Sequence, residues 1–250
     1  MATFIDPTTQ YMCNIIQQEY SACDVSDALL KLHVHAAGFL PDIVAPLLGF
    51  NQISRRTVAP VSTLALVPKS WTDSSSFPQH LPRKSNIPQG ENWTDYPSPG
   101  TIVLVQQPGK HVSAILGDIM ITRLHHRGVL GVVADGRIRD VKSCTKIRRN
   151  TTFQVWSKGV SAAGPSLEAK PWAIDVPLKI GETWIKPGDF ICADEEDQVI
   201  VVIPREHLRA VYELLPTLKR ASDRVLEDVE RGLSLPEAFE RNPDFYSNYK

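Results

Sequence analysis

Apolar residues follow two rhythms along this chain, a helical period near both ends and short, almost unbroken runs between them. Ser26-Asp27-Ala28-Leu29-Leu30-Lys31-Leu32 places its apolar groups on one helical face, so the first thirty residues read as helical, with Ser26 or Asp24 as the N-cap. A Gly-Phe-Leu-Pro-Asp turn (Gly38–Asp42) follows. The apolar run Arg56–Val67 predicts one or two strands broken near Pro60, because proline has no N–H to give a ladder. Thr101–Gln106 reads as a strand, Asp118–Arg127 as a short helix and Leu130–Asp135 as a second buried strand. Further strands are expected at Thr152–Trp156, Ala173–Val176, Trp184–Ile185, Phe190–Asp194 and Gln198–Ile203. Pro204 ends the last of these, and Arg205–Arg231 carries the stripe Leu208, Val211, Leu214, Leu215 and Leu218 of a long amphipathic helix. Ser234-Leu-Pro-Glu237 has the form of a capping box and predicts one more short helix.

One stretch follows neither rhythm. Between Pro68 and Gly100, prolines at 68, 78, 82, 88, 97 and 99 and the Ser74–Ser76 run argue against regular structure. A structureless loop of this length is uncommon inside a compact domain. It reads as an insertion, acting as a lid or a subunit contact or left disordered. The pattern as a whole predicts a mixed α/β fold in one domain, 1–250, with a core of about 20–215 and a helical C-terminal extension, 216–250. No internal repeat is visible.

Composition adds mainly exclusions. Among 250 residues, 42% are hydrophobic and 22% charged, an ordinary balance for a chain that buries a sizeable core. A formal net charge of −1 supplies no field that would favour nucleic acid or an anionic membrane as partner. Cys13, Cys23, Cys144 and Cys192 are scattered, without zinc-site spacing, and are expected to stay reduced. The first residues lack a basic-then-apolar signal, and no apolar run approaches the ~20 residues of a membrane span, so a cytoplasmic location is expected. Asn92-Trp93-Thr94 then reads as a chance match to a glycosylation sequon.

The segment Gly117–Asp140 concentrates the candidate chemistry. It reads as turn, helix, turn, strand and turn, with its polar groups at the connections. Gly117 permits close backbone approach, Asp118 can cap the helix, and the amides of Asp118, Ile119 and Met120 would point out of a helix N-terminus, a site suited to a carboxylate. Beyond the strand, Asp135-Gly136 is expected to turn and present Arg139 beside Asp140. Such a pair can be a plain surface ion pair. Combined with an anion-binding turn in the same unit, it also fits a catalytic site.

These residues carry a family resemblance. Gly117-Asp118-x-Met120 followed by Gly128-x-x-Gly131-Val132-Val133-x-Asp135-Gly136-x-x-Arg139-Asp140 resembles the RraA-like family, which includes class II 4-hydroxy-4-methyl-2-oxoglutarate/4-carboxy-4-hydroxy-2-oxoadipate aldolases. Asp24–Leu29, Gly38–Asp42 and Pro187–Pro204 resemble its N- and C-terminal signatures, so the likeness runs from about 20 to 215 outside the insertion. The resemblance implies an αββα sandwich assembled as a homotrimer or hexamer with sites between subunits, completed by acidic residues of a neighbour. It implies that the Gly117–Met120 amides hold the carboxylate of a 2-keto acid and that Arg139 binds the keto oxygen. Asp140 would hold Mg2+ or Mn2+ largely through water, with Asp118 supporting those waters. The implied reaction is cleavage of a carbon–carbon bond beside a 2-keto acid, by retro-aldol reaction or oxaloacetate decarboxylation, through a pyruvate enolate. The family also contains a non-catalytic ribonuclease regulator, so a binding protein is an alternative. A third is a lyase recruited to a larger aldol or β-keto acid, suggested by the insertion and by Arg123, Leu124, His125 and His126, which are bulkier than the family's usual residues.

Other reactive residues have plainer readings. His125 and His126 are adjacent and diverge by about 100° on a helix, so they suit solvent or core better than one metal. Lys142 reads as a surface lysine rather than a Schiff base, and Cys144 lacks a basic partner. The acidic run Asp194–Asp197 reads as a solvated turn.

Overall fold

The apolar run at 56–68 forms one continuous strand, and the whole architecture hangs on it. The computed structural model describes residues 5–46, 55–72 and 78–247. Two helices, α1 (Pro7–Glu19) and α2 (Ala22–Lys31), precede β1 (Arg56–Pro68). Then come β2 (Ile102–Gln106), β3 (Ala114–Leu116), α3 (Asp118–His126), β4 (Gly131–Ile138), α4 (Val141–Asn150) and β5 (Gln154–Val160). The remaining strands are β6 (Ala169–Ile174), β7 (Leu178–Ile180), β8 (Thr183–Ile185), β9 (Phe190–Asp194) and β10 (Val199–Ile203). Three helices follow, α5 (Leu208–Glu230), α6 (Leu235–Arg241) and α7 (Pro243–Ser247). No described helix is long and apolar enough to cross a membrane.

Pro60 does not break β1; it marks where the strand changes partners. Arg56–Pro60 pairs antiparallel with β9, which pairs with β10. Val61–Ala65 pairs parallel with β2, and Leu64–Pro68 antiparallel with β6. The missing N–H of proline thus falls at the seam between two sheets, where it costs least. The second sheet continues through parallel pairings of β2 with β4, β4 with β5 and β3 with β4. A separate antiparallel pair, β7 with β8, packs beside them.

Side-chain alternation turns these strands into layers. On β10, Ile200 and Val202 enter the core between the sheets, while Val201 and Ile203 face the cluster built with α1, α2 and α5. On β2, Ile102 and Leu104 enter the same central core, while Val103 and Val105 join Ile121 and Leu124 of α3 and Cys144 of α4. Strands buried on both faces read as unbroken apolar runs, which is the reason for the second rhythm. The result is the αββα sandwich.

Several local expectations need correction. The N-cap of α2 is Ser21, whose side chain and Asp24 form a capping box; Asp24 is therefore the third helical residue, and Ser26 lies inside the helix. β4 runs on to Ile138, with a register shift against β5 between Ala134 and Arg137, so Asp135-Gly136 is an irregularity within a strand and not a turn. The short strands β3 and β7 and the helices α4 and α7 are additions to the elements expected from the apolar pattern. The Ser234 capping box does start α6.

The 68–100 segment lacks long elements, as expected, yet its described part is bound to the core. Trp172 Nε1 donates to Pro82 O at 2.8 Å, and the Asn86 side chain exchanges hydrogen bonds with the backbone of Ile174. Trp93 and Thr94 are buried in a 3-10 turn that Asn92 caps. Ser74–Ser76 lie outside the described residues.

Candidate functional site

Gly117 ends the approach from β3 and serves as N-cap of α3 without any side chain to cap with. The first-turn N–H groups of Asp118, Ile119 and Met120 have no intrahelical acceptor, as in any helix, and here no N-cap side chain takes its place. Arg139 donates its backbone N–H to Leu116 O at 3.0 Å, which ties the end of β4 to the end of β3. A methyl group on Gly117 would come within 2.7 Å of Asp140 Oδ2 and 3.2 Å of Arg139 Nε. Only glycine lets both side chains lie against the start of α3. Segments more than twenty residues apart in sequence therefore meet at one point.

Arg139 and Asp140 are each a little over one-third exposed, at 39% and 38%, with Arg139 Nε 3.1 Å from Asp140 Oδ2. The contact is an ion pair by distance only: Nε is itself buried and makes no hydrogen bond. Asp140 adopts left-handed backbone geometry (φ 59°, ψ 35°) at the head of α4, a conformation that aspartate tolerates better than most residues other than glycine. Its carboxylate makes no capping bond there, although its backbone carbonyl accepts from Ser143 and Cys144. The charged atoms of both residues are held in place while their bonding capacity stays unused. Such a state suits a site waiting for a ligand.

Asp118 and Asp140 both act on Cys144. Burial first, then these two carboxylates, push its thiol up to about 11, and the thiol donates to Arg139 O at 3.7 Å. Cys144 is therefore a neutral packing residue and not a nucleophile. Lys142 is exposed. His125 packs edge-on against Phe153 and His126 is exposed, which agrees with core and solvent readings.

Among the described residues, no three His, Cys, Asp or Glu side chains form a metal cage. The chemistry available is instead one or two carboxylates on a polar, partly open surface. That donor set fits a hard, strongly hydrated cation such as Mg2+, which keeps several waters and takes few protein ligands.

Two features of the site region escape a reading of the sequence. Gly164, after β5, crowds the guanidinium: a methyl group there would lie 2.7 Å from Arg139 Nη1. No local pattern around Gly164 signals this, because its partner is twenty-five residues away. Arg123 of α3, and Arg127 just after that helix, also have an explanation that only the tertiary structure shows. Arg123 binds Asp95 of the insertion through Nε at 2.7 Å and also through Nη2, and Arg127 reaches Pro97 O. They anchor the insertion to α3. The acidic run is a correction: Asp194 and Glu195 are buried and paired with Arg56 and Arg148 rather than solvated.

Comparison with known proteins gives a consistent picture. The family described as RraA-like, Aldolase/RraA, matches residues 22–201. Protein DlpA of Legionella pneumophila is 24% identical over 236 residues, which is 92% of this chain but 34% of that protein. A 4-hydroxy-4-methyl-2-oxoglutarate aldolase of Thermus thermophilus is 27% identical over 113 residues, 44% of this chain and 65% of the enzyme. This chain thus spans about a third of DlpA and just under two-thirds of that aldolase. Among solved structures, an uncharacterized protein from Pseudomonas syringae superposes with a TM-score of 0.70 at 22% identity, covering 92% of this chain and 96% of that one. RraAS2 of Streptomyces coelicolor, described as an unusual member of the RNase ES inhibitor RraA protein family, superposes with a TM-score of 0.66 at 23% identity, over 88% and 97%. At these identities the structural likeness speaks for the fold.

Proposed function

This chain belongs to the RraA-like family, and on that premise we propose that it is a cytoplasmic, divalent-metal-dependent lyase that cleaves a carbon–carbon bond beside a 2-keto acid. The observation that carries the reading is the convergence of Arg139 and Asp140, with unspent bonding capacity, on the uncapped start of α3 at Gly117. The free amides of Asp118, Ile119 and Met120 receive the substrate carboxylate. Arg139 directs its guanidinium at the 2-keto oxygen, where negative charge grows as the bond breaks. Fixed donors aimed at developing charge stabilise the transition state more than the ground state.

Asp140 would hold Mg2+ or Mn2+ largely through water, with Asp118 supporting those waters, and the ion would supply Lewis-acid stabilisation of the developing negative charge. In retro-aldol cleavage the 4-hydroxyl gives its proton to solvent, C4 becomes a carbonyl and the C3–C4 bond breaks. The electron pair of that bond moves into the pyruvate enolate, which then takes a proton from solvent at C3 to give pyruvate. Oxaloacetate decarboxylation reaches the same enolate by loss of CO2, so one site serves both reactions.

The site lies between subunits of a trimer or hexamer in this proposal. Support comes from the lack, among the described residues, of three side chains grouped to hold a metal, and from exposed apolar groups on the surrounding segments: Ile119, 79% exposed, and also Val160 and Leu167. Light scattering after size exclusion tests the assembly, and a monomer would remove it. The activity is tested by coupling pyruvate release to lactate dehydrogenase with Mg2+ or Mn2+, using oxaloacetate and 4-hydroxy-4-methyl-2-oxoglutarate. Release no faster than from Asp140→Ala would overturn the enzyme and leave a binding protein.

A further inference from the structure

A cleft of about 520 Å3 opens beside Leu66–Pro68 of β1, Gln106 of β2, Asp135–Arg137 of β4 and Lys158 of β5. These are at or near the carboxyl ends of four mutually parallel strands. In open α/β sheets that edge is where ligands bind, because neighbouring connections diverge there and leave a crevice. Here the outer wall is supplied by the insertion, through Trp71, Pro78, His80 and Leu81. None of Gly117–Met120, Arg139 or Asp140 lines the cleft. The insertion therefore creates a cavity apart from the candidate catalytic residues.

Its lining is divided by chemistry. Leu66, Val67, Trp71, Pro78 and Leu81 make an apolar wall, while Lys110, His111, Arg137 and Lys158 supply cationic or donor groups. The one described carboxylate among the lining residues, Asp135, is already neutralised. Its Oδ1 lies 2.6 Å from Lys158 Nζ, and its Oδ2 accepts from Gln106 Nε2 at 3.2 Å. Gln107 is likewise occupied, donating to Ser113 O and accepting from Arg137 N. What is left over is donor capacity. Lys110 is exposed and has no ion-pair partner among the described residues. Arg137 uses Nη1 on Val160 O at 3.1 Å and keeps its remaining N–H groups. His111 Nδ1 is buried without a hydrogen bond. An apolar wall facing surplus donors matches a ligand with an apolar body and an anionic head.

We propose that this cleft is a second small-molecule site, separate from the Arg139–Asp140 centre, which binds an organic carboxylate with an aromatic or branched apolar body. The carboxylate engages Lys110 and Arg137, and the body lies against Trp71 and Leu81. The insertion exists in this chain, on this reading, to build the site's outer wall.

Isothermal titration of the full-length protein with 3-phenylpropanoate, its neutral amide and propanoate tests the proposal. The expected Kd for 3-phenylpropanoate is about 1 mM or lower, with the amide and propanoate each weaker by about tenfold. Lys110→Asn is exposed and Arg137→Gln retains polar capacity, so both leave the fold intact; each is expected to weaken binding about threefold to tenfold. Saturating pyruvate with Mg2+, and the Asp140→Ala substitution, leave the affinity unchanged if the site is separate. Three results would each overturn the proposal: no binding of 3-phenylpropanoate, equal binding of acid and amide, or full affinity in both variants. Displacement by pyruvate, or loss in Asp140→Ala, would assign the ligand to the catalytic centre instead. Because pyruvate release is not the readout, an inactive protein could still pass, so the two proposals fail separately.

Discussion

Arg148–Glu195 and Arg139–Asp140 pair the same guanidinium with a carboxylate, under opposite conditions. The first is sealed inside, with side chains 3% and 1% exposed. Its two contacts, Nε to Oε1 at 3.2 Å and Nη2 to Oε2 at 2.6 Å, form a fork, and Glu195 Oε2 also accepts from Arg55 N at 3.0 Å. The second is partly exposed, with side chains 39% and 38% exposed, and meets at one distance through a buried Nε that makes no hydrogen bond. Burying a charge is costly unless every bonding direction is filled, so the inner pair is saturated by necessity. In the outer pair solvent reaches the exposed remainder of both side chains, while the buried Nε stays unsatisfied and the pair remains unsaturated for a ligand. Saturation, not residue type, separates a structural ion pair from a candidate catalytic one.

Breaking the inner pair should have the largest effect. Arg148→Met strands Glu195 without its partner and should lower unfolding free energy by roughly 3–5 kcal/mol in urea titration. A loss below about 1 kcal/mol would mean that water reaches Glu195 and that the contrast in burial is overstated. Arg139→Gln should behave in the reverse way. Stability should shift by less than about 1 kcal/mol, while pyruvate release in the coupled assay falls at least about 100-fold.

Gly117→Ala sharpens the comparison without removing either charge. The added methyl displaces the ends of two flexible side chains and no backbone. A stability change within about 1 kcal/mol should therefore accompany a clear loss of pyruvate release, on the order of tenfold. Unchanged activity would show that close packing at Gly117 does not matter to the reaction.

The smallest effect concerns Cys144, which senses the outer site. Its thiol is pushed up to about 11, so it should stay protonated and resist iodoacetamide from pH 7 to 10. Asp118→Asn removes an anion that opposes the thiolate, so the pKa should fall and alkylation should begin at lower pH. Mass spectrometry of the labelled peptide reads the change. An unaltered pH profile would mean that Asp118 does not act on the thiol and that burial and Asp140 hold it neutral.

How much of the fold and of the site is legible in the sequence depends on the range of the interaction. The strand Phe190–Asp194 has the expected limits, and the Ser234 cap starts α6, because both signals lie within a few residues. α4 is hard to see although Val141, Cys144 and Ile147 recur at helical spacing, since its charged remainder hides the stripe. The candidate site is legible as a set of residues: Gly117–Met120, Arg139 and Asp140 stand in one short, ordered segment. Gly164 is invisible there, and the acidic run at Asp194 misleads, since nothing local shows that Arg56 and Arg148 fold back to meet it.

Local patterning alone was enough to specify a mixed α/β chain and the polar residues gathered around α3 and β4, while the layered sandwich followed from the family resemblance. Apolar periodicity, capping and proline placement act over a handful of residues and need no partner from afar. Tertiary packing decided which arginine–carboxylate pair is saturated, why α3 carries Arg123, and which strand ends the insertion covers. Burial and hydrogen-bond satisfaction depend on what arrives from other parts of the chain, and they distinguish two pairs that are alike in composition.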